Sequence, residues 1–110
     1  MSFHKRDEFD KTENRIADFA KALSHPARVA ILRQVAKRNT CICGEIVEVL
    51  PLAQSTVSQH LKELQKAGLI TGTVEGVTSC YCINWKAFER FEKTLKDFFT
   101  KTNANNRNCC

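Results

Sequence analysis

The most constraining feature of this chain is a change of hydrophobic period near Gly68. Over residues 54–67 the apolar positions recur at the 3.6-residue spacing of an amphipathic helix. After the glycine, residues 69–74 and 77–83 alternate with a period of two, which predicts two strands joined by a turn at Glu75-Gly76. A helix that runs directly into a hairpin is typical of a mostly α-helical domain with a β-hairpin wing.

Further helices are predicted by the same spacing over residues 12–23, 26–36 and 43–50, and from Asn84 to residue 101. Ser24 is expected to cap the second helix, and Asn84 the last one. Gly68 is expected to end the fourth helix in the left-handed conformation. The predicted fold class is therefore mostly α with a β-hairpin wing, a winged helix–turn–helix in the order α-α-α-α-β-β-α.

The chain has 110 residues, which is the length of one compact domain. We expect that domain over residues 12–101, between a polar N-terminal segment, 1–11, and a flexible tail, 102–110. No stretch approaches the roughly 18 apolar residues of a spanning helix. The N-terminus lacks the apolar region of a secretory signal, so we expect a cytoplasmic protein without a membrane partner. In that reducing compartment, cysteines are expected to be metal-binding, redox-active or buried rather than disulfide-bonded.

The outer face of the predicted fourth helix carries short hydroxyl and amide side chains. With Val57, Leu61 and Leu64 facing the core, the outward or flanking positions are Gln54, Ser55, Thr56, Ser58, Gln59 and Lys62. Such side chains hydrogen-bond base edges and phosphates in the major groove of DNA, whereas a merely solvated helix usually carries Glu and Lys. His60, one residue before Leu61, is expected to be partly buried or to face DNA. The helix is thus predicted to read double-stranded DNA.

The net charge of +5 supports this interpretation less than it first suggests. Residues 51–84, which contain the predicted recognition helix and wing, have two Lys against two Glu. Phosphate contacts would then come from Lys62, Lys66, helix N-termini and Lys37 or Arg38, while neutral polar side chains provide the specificity.

Two separated segments resemble the ArsR/SmtB family of dimeric bacterial repressors. They are the run from Lys21 to Leu32, which contains Ser24-His25-Pro26, and the run from Gln54 to Ile70, which contains Ala67-Gly68-Leu69. The resemblance implies a homodimer formed by the first and last helices, a fourth helix that reads operator DNA, and a wing that contacts the DNA backbone or minor groove. The corresponding wing positions are Thr73, Gly76 and Thr78.

The last helix supports the dimer independently, because it carries more large apolar residues than a small monomer easily covers. They are Trp85, Phe88, Phe91, Leu95, Phe98 and Phe99.

Six cysteines occur in three pairs: Cys41-Ile42-Cys43, Cys80-Tyr81-Cys82 and Cys109-Cys110. The first pair opens the predicted third helix and resembles the Cys-Val-Cys-Asp element of the family's arsenite sensors, although Gly44 follows where that element has Asp. In the second pair both side chains would lie on one face of a strand, with Tyr81 and Ile83 on the opposite, core face. The third pair lies in the tail, which could reach about 30 Å when extended.

Thiolates prefer soft acceptors. We therefore predict a trigonal thiolate site for As(III) or another thiophilic ion as inducer, built from one or both of Cys41 and Cys43 together with Cys109 and Cys110, with no organic cofactor. Bound ion would favour a conformation that cannot hold the operator, and so release DNA.

Other interpretations stay open at this point. A thiol switch on the same fold could respond to peroxide or persulfide. A constitutive DNA-binding regulator could carry inert cysteines. A thiol enzyme or metal carrier is disfavoured because the chain has neither Cys-x-x-Cys nor an activating His near a Cys, so no enzyme is expected. No His follows His60, which argues against the zinc site that the family builds on its last helix.

Overall fold

A computed structural model describes residues 6–38, 42–43, 51–73 and 80–106. Their helices are α1 (Lys11–Ala22), α2 (Pro26–Arg38), α3 (Gln54–Lys66) and α4 (Trp85–Asn103), and their strands are β1 (Ile42–Cys43), β2 (Ile70–Thr73) and β3 (Cys80–Ile83). The strands form an antiparallel sheet in the order β1-β3-β2. The predicted class, mostly α-helical with a hairpin after the recognition helix, is confirmed, and α3 is the helix predicted as the fourth.

One predicted boundary is wrong. Cys43, which was expected to begin the third helix, lies in β1, where its backbone pairs with Cys80 while Ile42 pairs with Tyr81. The remainder of that predicted helix, residues 44–50, lies outside the described residues. Pairing with β3 explains the difference, because a neighbouring strand can satisfy backbone groups that a short helix would otherwise have to satisfy itself.

Capping residues fix where the helices begin. Asp10 and Glu13 form a capping box at the start of α1, and the Asn84 side chain accepts a hydrogen bond from the Ala87 N–H at the start of α4, as predicted. The expected cap of α2 is wrong: His25 Nδ1 accepts from the Ala27 N–H, while Ser24 Oγ donates to the Lys21 carbonyl. Pro26 therefore occupies the first helical position, where its missing N–H costs nothing.

Gly68 ends α3 as predicted, with φ of +82°. Its N–H bonds to the Gln65 carbonyl and the Leu69 N–H bonds to the Leu64 carbonyl, which together form a Schellman motif. This tight ending directs the chain from α3 into β2, so the helix and the first strand of the hairpin are joined by a short, hydrogen-bonded turn.

A single apolar core lies between the helices and the inner face of the sheet. The buried cluster comprises Ala22, Ile31, Leu32, Val35, Val57, Leu61, Leu64, Leu69, Ile70, Tyr81 and Ile83. Tyr81 and Ile83 face this core, while Cys80 is exposed and Cys82 is half-buried. The predicted alternation along this strand is confirmed.

Helices α1 and α4 pack together through aromatic side chains, with Phe19 and Phe91 stacked at 4.3 Å between ring centroids. Large apolar side chains are exposed at both ends of α4: Trp85 is 50% exposed at the start, and Phe98 and Phe99 are 44% and 56% exposed near the end. The helix continues to Asn103, two residues beyond the end expected from the sequence. Among the described residues, no helix is both long and apolar enough to cross a membrane.

Candidate nucleic-acid interface

The outer face of α3 presents the polar side chains that the sequence predicted. Gln54, Ser55, Thr56, Gln59 and Lys62 are exposed. Ser58 is half-buried at the edge of this face. On the opposite face Val57, Leu61 and Leu64 are buried to 3% exposure or less, so the polar side chains sit on a helix whose rotation is fixed by the core.

The N-terminus of α3 has the electrostatic character of an anion site. Its N-cap residue is Ala53, which has no side chain able to accept from the first-turn N–H groups, and the first turn contains no acidic residue. The positive end of the helix dipole is therefore not neutralised within the described part of the protein. Backbone N–H groups at such an end bind phosphate readily.

Further along α3, the carboxylate of Glu63 contacts two neighbouring polar side chains, those of Gln59 and Lys66. Gln59 Nε2 donates to Glu63 Oε2 at 3.3 Å, and Lys66 Nζ lies 3.6 Å from the same carboxylate. Lys62 is exposed on the same helix, and no ion pair is seen for it among the described residues. Gln59 is thus partly ordered before it meets a ligand, which lowers the entropy lost on binding.

His60 does not join this surface. Its side chain is only 8% exposed, and its Nδ1 accepts a hydrogen bond of 3.2 Å from Arg28 Nε. The imidazole also packs on that of His25, with ring centroids 4.4 Å apart. Burial, followed by the charges of His25 and Arg28, lowers the pKa of His60 below its usual value. The alternative that His60 faces DNA is therefore not supported by its position, and the partly buried alternative is the one observed.

Arg28 is a positioning residue that the sequence reasoning missed. In addition to His60, its Nη1 contacts the carbonyls of Lys21 at 3.2 Å and Ala22 at 3.5 Å. One guanidinium thus links the end of α1, the start of α2 and the middle of α3. The sequence offered only one signal, an arginine two residues after the proline that begins a helix. This signal alone does not predict such a contact.

The wing strands are held to α3 by Gln65, a second residue that the sequence reasoning missed. Its Nε2 donates to the Gly72 carbonyl in β2. Of the predicted wing contacts, Thr73 ends β2, where its backbone pairs with Cys80. Gly76 and Thr78 lie outside the described residues. The base of the wing therefore has a defined position relative to the recognition helix.

The cysteines are arranged differently from the sequence expectation. Cys80 and Cys82 are each disulfide-bonded, although a reducing compartment was expected to keep the cysteines out of disulfides. Within the sheet, β1 is adjacent to β3, and the backbone of Cys43 is the direct register partner of Cys80. Cys41, Cys109 and Cys110 lie outside the described residues, as does the side chain of Cys43. Among the described side chains, no group of three His, Cys, Asp or Glu is arranged to hold a metal ion.

An apolar groove lies on another face of the protein, between α1, α2 and α4. It has a volume of about 240 Å³ and is lined by Phe19, Leu23, Val29, Leu32, Arg33, Ala36 and Phe88. Trp85, which is half exposed, adjoins the groove through Phe88, with the two ring centroids 6.0 Å apart.

A helix with a polar outer face, fixed on its core side and joined by a tight turn to an antiparallel wing, defines a winged helix–turn–helix protein. The fold is also that of an ArsR-like transcriptional regulator from Rhodococcus sp. RHA1, with a TM-score of 0.70 and 21% identity over 86% of this chain and 89% of that one.

Sequence comparison agrees with the fold. Residues 25–71 match the bacterial regulatory proteins of the arsR family. The transcriptional repressor PagR of Bacillus anthracis is 32% identical over 72% of this chain and 79% of its own length. The arsenical resistance operon repressor of Bacillus subtilis is 38% identical over 58% of this chain and 61% of its own. The repressor SmtB of Mycobacterium tuberculosis is 41% identical over 54% of this chain, and the aligned segment spans only 43% of that relative.

The chain belongs to the arsR family of bacterial regulatory proteins. The resemblance inferred from its two sequence motifs is therefore confirmed. The three relatives above are named as repressors.

Proposed function

We propose that this protein is a dimeric repressor that binds double-stranded operator DNA in the cytoplasm and releases it when cysteine thiolates bind a thiophilic ion, As(III) above all. The observation that carries the DNA-binding part is the outer face of α3, where exposed amide and hydroxyl side chains stand on a helix fixed by Val57, Leu61 and Leu64. Rigid placement on a scaffold helix is what base recognition requires.

Each part of the surface has a distinct role in this proposal. Gln54, Ser55, Thr56, Ser58 and Gln59 face base edges and nearby phosphates, and their amide or hydroxyl groups can both donate and accept. Lys62, Lys66 and the uncapped first-turn N–H groups of α3 hold phosphates, which sets the register on the duplex. The wing positions Thr73, Gly76 and Thr78 are proposed to contact the backbone or minor groove beside it. Lys37 and Arg38, at the end of α2, are further candidates for phosphate contacts.

The dimer is proposed to form along α1 and α4. Trp85, Phe98 and Phe99 are exposed on α4, and Trp85 adjoins Phe88, which lines the apolar groove. Exposed apolar surface of this extent is characteristic of an interface rather than of a monomer surface. Two copies would then present two recognition helices to two halves of an operator.

The inducer is assigned from thiol chemistry. Six cysteines in 110 residues give several ways to gather thiolates, and the sequence-derived set is Cys41, Cys43, Cys109 and Cys110. A relative named as an arsenical resistance operon repressor makes trivalent arsenic the first ion to test. A redox-responsive repressor is the second candidate, and the disulfide-bonded state of Cys80 and Cys82 favours it specifically.

A gel-shift titration separates these candidates. Reduced protein is bound to its own promoter DNA and then titrated separately with arsenite, zinc and peroxide. Release by arsenite supports the proposal, whereas release only by peroxide, reversed by dithiothreitol, supports the redox-responsive repressor. Binding that none of the three agents releases indicates a constitutive regulator. Failure of the protein to bind any promoter fragment would overturn the DNA-binding assignment itself.

A further inference from the structure

We infer that His25 and His60 form a positioning pair, which holds α3 in its DNA-binding position only while both imidazoles are neutral. The inference rests on the proposed DNA-binding role of α3 and adds a control of that role by pH. Its first support is that each ring uses its Nδ1 atom as a hydrogen-bond acceptor. His25 Nδ1 accepts from the Ala27 N–H at 3.0 Å. His60 Nδ1 accepts from Arg28 Nε at 3.2 Å.

An accepting Nδ1 atom determines the protonation state of each ring. A neutral imidazole carries its one proton on the other nitrogen, here Nε2, whereas an imidazolium carries N–H groups on both nitrogens and accepts no hydrogen bond. Proton uptake by His60 would turn its Nδ1 into a donor that faces the Arg28 Nε–H. Proton uptake by His25 would remove the acceptor at the first turn of α2. Either event therefore breaks a hydrogen bond that the folded protein makes.

The surroundings of His60 also oppose a positive charge on its ring. The side chain is only 8% exposed, and its ring centroid lies 4.4 Å from that of His25, so protons on both rings would bring two like charges into contact. Burial, His25 and Arg28 lower the pKa of His60, while the carboxylate of Glu63 acts in the opposite direction. That carboxylate already lies 3.6 Å from Lys66 Nζ, which limits what it can offer to an imidazolium.

The bond from Arg28 connects the histidine pair to the position of α3. Through Nη1 the same guanidinium contacts the carbonyls of Lys21 and Ala22 at the end of α1, so Arg28 is held on the other side as well. His60 lies in the middle of α3, next to Gln59 on the outer face. A buried charge without a partner is costly, so an imidazolium that has lost Arg28 has to move toward water. The ring belongs to α3, and its outward movement shifts the helix.

The direction of the pH dependence distinguishes a positioning role from direct contact with DNA. A histidine that faces phosphates binds DNA more tightly when it is protonated, because the added charge attracts a polyanion. Histidines that position α3 have the opposite effect, since protons bind preferentially to the arrangement in which α3 is displaced. Over the range in which histidine titrates, about pH 7.5 to 5.5, the affinity for the promoter should therefore fall. A fall of about threefold or more is expected, since each linked proton changes an equilibrium constant by up to roughly tenfold per pH unit.

The test compares the unaltered chain with His25→Asn and His60→Asn, singly and together. Asparagine places an acceptor oxygen at the δ position but does not take up a proton, so both hydrogen bonds can be kept. His4→Gln removes the third histidine of the chain and is the matched control. Fluorescence anisotropy measures the affinity of each protein for the promoter fragment across this pH range. Circular dichroism at each pH checks that the protein remains folded.

We expect the unaltered chain and His4→Gln to lose affinity as the pH falls. The double variant should bind nearly as tightly as the unaltered chain at the higher pH and should show little dependence on pH. Affinity of the unaltered chain that stays constant or rises at low pH would overturn the inference. An equal loss of affinity in the double variant would overturn it as well.

Nuclear magnetic resonance of the protein without DNA gives a second readout, which does not depend on the variants or on the repressor assignment. The chemical shifts of the ring nitrogens should show the Nε2–H tautomer for both His25 and His60 at the higher pH. The Arg28 Nε–H signal should change as His60 takes up its proton. A ring that carries its proton on Nδ1 at the higher pH would overturn the histidine pair alone, whereas failure to bind any promoter at that pH would overturn the proposed function.

Discussion

Two glycines with positive φ provide a matched test of how tightly the wing is packed. Gly68 has φ of +82° and nothing within 4 Å of the position where a Cβ would lie. Gly72 has φ of +122°, and there a Cβ would overlap the Cys80 carbonyl oxygen and lie 2.9 Å from Tyr81 Cα. Both obstacles at Gly72 are backbone atoms, so no side-chain rotation can relieve them. The strands themselves must separate.

The magnitudes follow from this difference. At Gly68, alanine costs only the left-handed conformation, about 1–2 kcal/mol of the free energy of unfolding. At Gly72, where φ is +122°, the conformational cost is at least as large, and separation of β2 from β3 also breaks about two ladder hydrogen bonds and the bond from Gln65, worth roughly 1 kcal/mol each. Replacing glycine by alanine also lowers the conformational entropy of the unfolded chain, which stabilises the folded state. This gain is the same for both variants and cancels in the comparison. Gly72→Ala should therefore destabilise the protein by about 2–3 kcal/mol more than Gly68→Ala.

Urea unfolding followed by circular dichroism measures both variants, at one protein concentration because a dimer would make stability concentration-dependent. The corresponding difference in Tm is roughly 10 °C or more for a domain of this size. If Gly72→Ala proves no less stable than Gly68→Ala, then β2 and β3 do not pack as closely as described, and the reasoning about the base of the wing is refuted.

Three other predictions concern pH, DNA and assembly. Because burial lowers the pKa of His60, the folded protein binds a proton less readily than the unfolded chain does. The free energy of unfolding should therefore fall as the pH drops from 7 to 5. In urea titrations, His60→Gln should make the free energy of unfolding depend less on pH. Fluorescence anisotropy measures two DNA-binding variants. Gln59→Ala should weaken promoter binding by about 1–3 kcal/mol and relax the preference for the promoter sequence. Lys62→Ala should lower the affinity for all DNA sequences alike and reduce the slope of log K against log salt concentration by about one. An unchanged preference in the first variant would remove Gln59 from the base contacts. Phe98→Glu with Phe99→Glu should convert the dimer to a monomer in analytical ultracentrifugation, and a persisting dimer would show that α4 is not the interface.

Hydrophobic periodicity was sufficient to predict helices α1 to α4 and the strands β2 and β3. Val57, Leu61 and Leu64 had to face the core because no other rotation of α3 buries all three, and this alone determined which polar side chains face outward. Tyr81 and Ile83 followed from the two-residue period of a strand. Both predictions rest on local spacing, and spacing of this kind is fully contained in the sequence.

Contacts between distant segments could not be predicted in the same way. The pairing of β1 with β3 joins residues nearly 40 positions apart, and a two-residue strand has no period from which to detect it. The contact from Arg28 to His60 spans 32 residues and depends on how two helices pack. The predicted thiolate site therefore combined Cys43 with the tail, since the reach of the chain was the only available criterion. It did not foresee that the backbone of Cys43 pairs with that of Cys80.

The same long-range contacts connect α3 mechanically both to the α1/α4 surface and to the sheet. Arg28 ties α3 to the end of α1, where the aromatic contact between Phe19 and Phe91 begins the proposed dimer surface. Gln65 ties α3 to β2, which pairs with the cysteine-bearing strand β3. Helix α3 thus has one polar tether toward the proposed dimer surface and one toward the strand that carries Cys80 and Cys82. In the proposed dimer, a change in either tether would alter the position of α3 relative to the same helix of the second copy, and so the spacing at which the two helices meet an operator.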